Sequence, residues 1–384
     1  MDFAESGKGS EVVTEAPPER AGRRRRGWIR VAQALFSLGV VAAVFVLVLP
    51  QIASYSSVWQ TITRLGWPQV TALGAVSVFN LFTYWAQMVA AMPGLTLAQA
   101  AVNNQSSTTV ANVLPGGGAI AVGVAVAMFR SWGFTGPEIG LLLSTTGVWN
   151  SFMKLGLPVV ALGLLAISGA ATAALIAPAI VGLGILAGSL VLFALALWRP
   201  HFALRIGNGL GRARARLGRL IHRPSARDWG NAAVQFRDQT IQLLARRWIA
   251  LTVTTVVSHL GLYAVLLVTL RALGVSSREV SWAQVLAVFA FARLLSAMPL
   301  TPGGLGVVEL ALIGGLNAAG HAHAGVPAAE FRAQVTAATL LFRALTYGIQ
   351  IPLGALTYLI WQHKRSWRRS SRPQPAVVAV GGAR

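Results

Sequence analysis

"MPLTPGGLGVVEL", residues 298–310, places two prolines, three glycines and one glutamate inside one of the most apolar regions of the chain. Proline removes a backbone donor, and clustered glycines favour a break over a continued helix. An earlier stretch, "NVLPGGGAIAVG" at 112–123, repeats the interruption without the acid. These two breaks decide whether the oily segments are plain rods or parts of something built around a gap.

The class follows from composition. Of 384 residues, 55% are hydrophobic and 11% charged, whereas soluble domains carry about 25% charged residues. Apolar runs at 31–49, 70–90, 156–197, 249–270 and 333–360 approach or exceed the roughly 20 residues that cross a bilayer as helix. The reading is an all-α polytopic membrane protein of the cell membrane. With no cysteine, disulfides and thiolate metal sites are excluded. The net charge of +21 suggests nucleic acid until its location is read. Most basic residues fall in "ERAGRRRRGWIR" (19–30), in the stretch 199–247 and in "HKRSWRRSSR" (363–372). Such blocks beside membrane spans hold loops in the cytoplasm and attract anionic lipid, worth roughly 1 kcal/mol per residue. No nucleic-acid module accompanies them. Residues 1–27 read as a disordered basic cytoplasmic arm. They are not a cleavable signal, because the apolar run that follows lacks a small-residue cleavage pattern.

From a cytoplasmic N-terminus the crossings close. Spans at 30–50 and 68–91 go out and back, and a hairpin at 98–130 turns at Pro115–Gly118. Spans at 138–168 and 171–198 complete a first half, 28–198, and lead to a basic cytoplasmic linker, 199–247. The second half, 248–362, holds a span at 248–271, a hairpin at 283–319 turning at Pro299–Gly304, and a span at 333–361. A basic tail, 363–384, ends inside. The count is six full spans plus two re-entrant helical hairpins, or ten spans. Arms this short favour re-entry.

The hairpins resemble each other. "LAQAAV" from Leu97 parallels "WAQVLAV" from Trp282, and each precedes a Pro-Gly-Gly: Pro115, Gly116, Gly117 and Pro302, Gly303, Gly304. Each hairpin leads to a helix with a proline at its start and another inside, Pro137 and Pro158 against Pro327 and Pro352. An odd number of crossings separates them, so they enter from opposite sides, as in an inverted repeat. Broken segments at matched positions of two halves point to a transporter site. Non-helical backbone at membrane depth must be buried in protein or line a wet cavity. The two Pro-Gly-Gly turns are therefore expected to be hinges or to expose backbone donors.

Four charged side chains fall within the expected membrane core: Lys154, Arg293, Glu309 and Arg343. Each costs at least about 2.5 kcal/mol at a helix centre and normally faces a cavity or a partner. Arg293 and Glu309 sit on the two arms of one hairpin, which suggests an ion pair across it. Asn150 and Lys154 precede Pro158 as Arg343 precedes Pro352. Three cations against one anion would receive a negatively charged group such as a lipid phosphate, arginine through its fork and lysine as a point charge. The competing reading is snorkelling or a structural ion pair. The run "NNQSSTT" (103–109) either lines a groove or satisfies freed backbone groups. His259 stands alone, and "HAHAG" (321–325) lacks acid or thiol partners. HExxH, GxSxG and Walker signatures are absent. The expectation is therefore no enzyme, no catalytic residue, no cofactor and no metal.

"PLTPGGLGVVELALIGGL" (299–316), "GVPAAEFRAQVTAATLLFRALTYGIQIPLGAL" (325–356) and "NVLPGGGA" with "RSWGFTGPEIGLLLSTTGVWNSFMKLGLP" (130–158) resemble the transmembrane region of lysylphosphatidylglycerol synthases and the stand-alone, flippase-like UPF0104 group. The resemblance covers about residues 28–362. It implies a region that flips aminoacylated or other lipids, while a separate soluble domain makes the lipid. Few residues follow Trp361, so that synthetase domain is expected to be missing and lipid aminoacylation is not inherited. Many relatives carry an Arg…Gly-Glu element after the first proline and a Glu-Arg pair in the next helix. Glycines and "VWNSFMKL" replace them here. The expected function is a lipid flippase-like transporter of an anionic-headgroup phospho- or glycolipid. The alternative is an integral-membrane accessory subunit that recruits a lipid- or glycan-modifying enzyme. Membrane lipids are the expected partners, with room for an enzyme partner or a homo-oligomer.

Overall fold

Among the described residues the backbone is helical wherever apolar residues run without interruption, and there is no strand. The computed structural model describes residues 54–114, 117–167, 173–198, 201, 204–205, 208–209, 212, 229–296, 301, 304–320 and 326–364. The expected span 30–50, the arm 1–27, most of the linker, the tail beyond 364, the 321–325 histidines and Pro115, Gly116, Pro302 and Gly303 lie outside them.

A short helix α1 (Tyr55–Thr63) precedes α2 (Trp67–Ala91). The first hairpin is α3 (Leu97–Val113) and α4 (Gly117–Ser131), followed by α5 (Gly136–Ile167) and α6 (Ala173–Trp198). Helix α7 (Trp229–Ala272) leads to the second hairpin, α8 (Trp282–Leu295) and α9 (Val307–Gly320). Last come α10 (Ala328–Arg343), a π-helical turn (Ala344–Gly348) and α11 (Gln350–His363).

Two boundaries differ from expectation. At 44 residues, α7 is roughly 66 Å long at 1.5 Å per residue. It begins well before the expected span at 248, so the end of the basic linker is helical too. The expected span 333–361 is not one α-helix. In its wide turn Ile349 N donates to Ala344 O, five residues back, at 2.9 Å. Pro352 withholds the N–H that the Gly348 carbonyl would accept in an α-helix, and the wide turn sits just before it.

Helices α2, α5 and α7 form the frame. Helix α2 runs antiparallel to α7: Gln87 Nε2 donates to Thr255 Oγ1 at 2.7 Å, Arg247 donates to the Val89 carbonyl at 3.4 Å, and Pro68 shares a groove with Arg271. Trp149 Nε1 on α5 donates to Thr252 Oγ1 at 3.0 Å. Hairpin α3–α4 packs on α11, with Thr109 Oγ1 donating to Gln350 O at 2.8 Å and Trp361 Nε1 to Ser131 Oγ at 3.0 Å. Gly354 makes that crossing possible, because a Cβ there would run into the Thr109 side chain and the Gln105 carbonyl.

The core is divided between the two ends. One cluster gathers Leu266, Leu270, Val280, Phe289, Phe331 and Val335, beside the start of α8. The other gathers Ala91, Met92, Met128, Phe129, Trp132 and Leu251, beside the start of α3. The open ends of the hairpins therefore lie at opposite ends of the frame. Both first arms open with the same capping box. Thr96 caps Gln99 as Ser281 caps Gln284, and each glutamine accepts the N-cap amide in return. The matched glutamines of "LAQ" and "WAQ" close the first turn of an arm.

Large apolar side chains such as Val78, Phe79, Phe82, Val253 and Leu359 face outward, and Trp67 and Trp198 lie exposed at helix ends. That is the pattern of a lipid-facing belt with interfacial tryptophans. Trp67–Ala91, Gly136–Ile167 and Val234–Ala272 are long and apolar enough to cross a membrane. Arms α8 and α9 have 14 residues each, roughly 21 Å at 1.5 Å per residue, against a hydrocarbon core of about 30 Å.

Substituting Gly354→Val is expected to lower stability by about 1–3 kcal/mol through overpacking. Thermal melting of the detergent-purified protein reads this as a lower midpoint.

Candidate functional site

The interrupted stretch folds around its carboxylate. Gly304 and Gly306 have φ of 70° and 83°, a region open to glycine and strained for most other residues. Thr301 steadies the turn by donating its hydroxyl to the Leu305 carbonyl at 2.7 Å. Glu309 lies in the first turn of α9, where a carboxylate favours the helix dipole. Its Oε2 accepts from Gly306 N at 2.8 Å and its Oε1 from Arg343 Nε at 2.7 Å. The side chain is fully buried.

Arg343 also lies over the Tyr347 ring, 4.6 Å from its centroid. The Tyr347 hydroxyl donates to the Asn112 carbonyl at 2.8 Å, near the tip of the first hairpin. A continuous chain of contacts thus joins the turn of the second hairpin to the tip of the first.

Beside this chain is a cavity of about 320 Å³, within the size range of small-ligand sites. Lys154 from α5, Arg293 from α8 and Arg343 from α10 all line it. The three cations that sequence reasoning singled out within apolar segments thus share one space. The other polar residues that line it are neutral: Asn104, Thr108 and Asn112 from α3, with Thr346, Tyr347 and Gln350. Tyr84, Leu262, Phe289 and Val308 supply further lining.

The expected Arg293–Glu309 pair is not formed. Glu309 is taken by Arg343, because α10 rather than α8 presents its guanidinium to the start of α9. Arg293 Nε is buried without a hydrogen-bond partner. Asn150, expected with the cations, is not among the lining residues. Its Oδ1 accepts from Gln87 Nε2 at 3.2 Å and helps to tie α5 to α2. The "NNQSSTT" run divides between the cavity and a neighbouring helix. Ser106 and Thr109 bond to α11, while Asn104 and Thr108 face the cavity. His259 Nδ1 lies 3.0 Å from the Thr255 carbonyl of its own helix. Sequence reasoning missed Tyr84, Asn112, Tyr347 and Gln350. For Asn104, Thr108 and Asn112 a spacing of four was the available signal, since such residues share a helix face. Among the described residues no three histidine or acidic side chains are grouped to hold a metal.

A family model described as the transmembrane region of lysylphosphatidylglycerol synthase matches residues 31–354. The chain belongs to that family. For this lysylphosphatidylglycerol-synthase-type membrane region, membership means an association with membranes and with the modification or flipping of lipids. No curated protein matches it.

Replacing Glu309 by Gln leaves Arg343 without its counter-charge in a buried setting. Breaking one side of such a pair typically costs about 3–5 kcal/mol. The melting midpoint of Glu309→Gln should fall well below that of the parent. The double variant Glu309→Leu with Arg343→Met should recover much of the loss.

Proposed function

We propose that the chain is a flippase-like transporter that moves a lipid with an anionic headgroup between leaflets, with the headgroup passing through the cavity between the two hairpins. One observation carries the reading: Lys154, Arg293 and Arg343 line a common cavity where the two hairpins meet, and in this reading that cavity lies at membrane depth. Charges at that depth have to serve a pathway or a partner, and among the described residues only Arg343 of the three has a carboxylate partner.

In this reading Lys154 and Arg293 take the anion, and Glu309 orients Arg343 at the edge of the site. The Pro-Gly-Gly turns are hinges for the hairpins, and Asn150 acts behind the cavity through helix packing. The two hairpins act as an inverted repeat of re-entrant elements. Their shared capping boxes and opposite entry ends support that relation. The chain performs no covalent chemistry. Its arginine-rich end, with Arg130, Arg237, Arg246, Arg247 and Lys364, faces the cytoplasm of a plasma membrane, by the preference of basic residues for that side.

The test is headgroup translocation in proteoliposomes. Arg343→Ala and Glu309→Gln should each slow it at least about tenfold, the loss of one charge-assisted contact. Unchanged rates in both variants would remove the site assignment. Orientation is tested separately, because a chain without cysteine accepts single reporters. Gln60→Cys should react with an impermeant maleimide added to intact cells, and Lys364→Cys only after the membrane is opened.

A further inference from the structure

The distribution of charge in the cavity says more about its ligand than that it is anionic. The wall built by α5 and α8 carries Lys154 and Arg293. Arg293 Nε is buried there with no acceptor. The third cation is already neutralised, since Arg343 shares 2.7 Å with Glu309 and is covered by the Tyr347 ring. The unbalanced charge therefore sits on α5 and α8. The α3 and α11 lining offers amides and hydroxyls, chiefly Asn104, Thr108, Asn112 and Gln350. Amides and hydroxyls both donate and accept, which suits sugar or polyol hydroxyls and carries no net charge.

Equally informative is what the space lacks for a cation. The chain has 11 acidic residues, and of those lining or touching the cavity wall the described one is Glu309. Both of its oxygens are engaged, by Gly306 N and Arg343 Nε, and the residue is fully buried. Glu138 and Glu279 are spent at helix starts, accepting from the backbone amides of Thr135 and Ser276. Among the described residues, an ammonium entering the cavity would meet two uncompensated cations and no available carboxylate. Like charges in a desolvated site exclude a ligand more firmly than good contacts admit one.

We propose that the cavity selects a phosphorylated polyol headgroup without an ammonium, and that it rejects aminoacylated and ethanolamine headgroups. Lys154 and Arg293 hold the phosphate, the α3 face holds the hydroxyls, and Arg343 is a positioning residue. This rests on the reading of the cavity as a headgroup site. A volume of about 320 Å³, at the low end for ligand sites, fits a phosphoglycerol or phosphoinositol unit rather than a chain of sugars.

The experiment titrates the full-length protein in detergent with four probes: phosphatidylglycerol, its lysyl ester, phosphatidylethanolamine and soluble glycerol 1-phosphate. Binding is read by native mass spectrometry and by thermal stabilisation. Phosphatidylglycerol should bind at least about ten times more tightly than the lysyl ester or the ethanolamine lipid, as expected when an uncompensated like charge enters the site. Arg293→Gln and Lys154→Gln should each weaken it about ten- to a hundredfold, the worth of a hydrogen bond to a charged group. Arg293→Lys should keep much of the affinity. The unliganded melting midpoints of both Gln variants should not fall, since each removes an unpaired charge. Competition by glycerol 1-phosphate would support recognition of the headgroup alone. Binding of the lipid without such competition would support the same chemistry anchored by acyl chains. Equal affinity for the lysyl ester, or unaltered binding in both Gln variants, would overturn the proposal. Equal translocation of both lipids would also overturn it while leaving transport intact. Selective binding with no translocation would overturn transport and leave the selectivity standing.

Discussion

A carboxylate buried away from water is tolerable only if its oxygens have donors, and this requirement at the fully buried Glu309 organises the rest. Its two oxygens are filled from two directions: by the amide of Gly306 in its own turn, and by the guanidinium of Arg343 from a neighbouring helix. The first contact closes the glycine turn and sets where α9 begins. The second pins α9 to α10. Through Tyr347 and the Asn112 carbonyl the constraint reaches the other hairpin. The parts of the molecule that break helical order are thereby joined by one line of polar contacts in addition to apolar packing such as that of Val308, Phe342 and Leu345.

The same pairing shapes the cavity. By consuming the one acid near it among the described residues, Arg343 leaves Lys154 and Arg293 unbalanced in the same cavity. Holding two cations apart from counter-ions is unfavourable in a low dielectric. It is sustained here because the apolar clusters at each end of the frame carry the fold without help from those residues. A site held open by packing elsewhere can keep its charges for a ligand.

Much of this was legible in the sequence. Uninterrupted apolar runs located α2, α5 and α6 within a few residues, and the prolines and glycines located both turns. Lys154 and Arg343 were matched through their distance to Pro158 and Pro352, and Arg293 was marked by its charge within an apolar arm; all three line one cavity. Pairing was not readable. Glu309 is nearer in sequence to Arg293, but the choice of Arg343 depends on how α9 and α10 pack, which spacing does not encode. Asn150 was drawn to the site by its position one turn before Lys154 and is instead used between helices. The polar face of α3 was obscured because Ser106 and Thr109, which bond to α11, are interleaved with Asn104 and Thr108, which do not.

The π turn at 344–348 adds a residue to one revolution of an otherwise continuous rod. Each residue advances an α-helix by about 100°, so the surplus one resets the azimuth of everything after it. Before the turn the helix addresses α9 through Arg343; after it, Gln350, Gly354 and Thr357 address α3. A single rod thereby serves two neighbours that lie on different sides of it, and its two halves keep separate allegiances while sharing one axis.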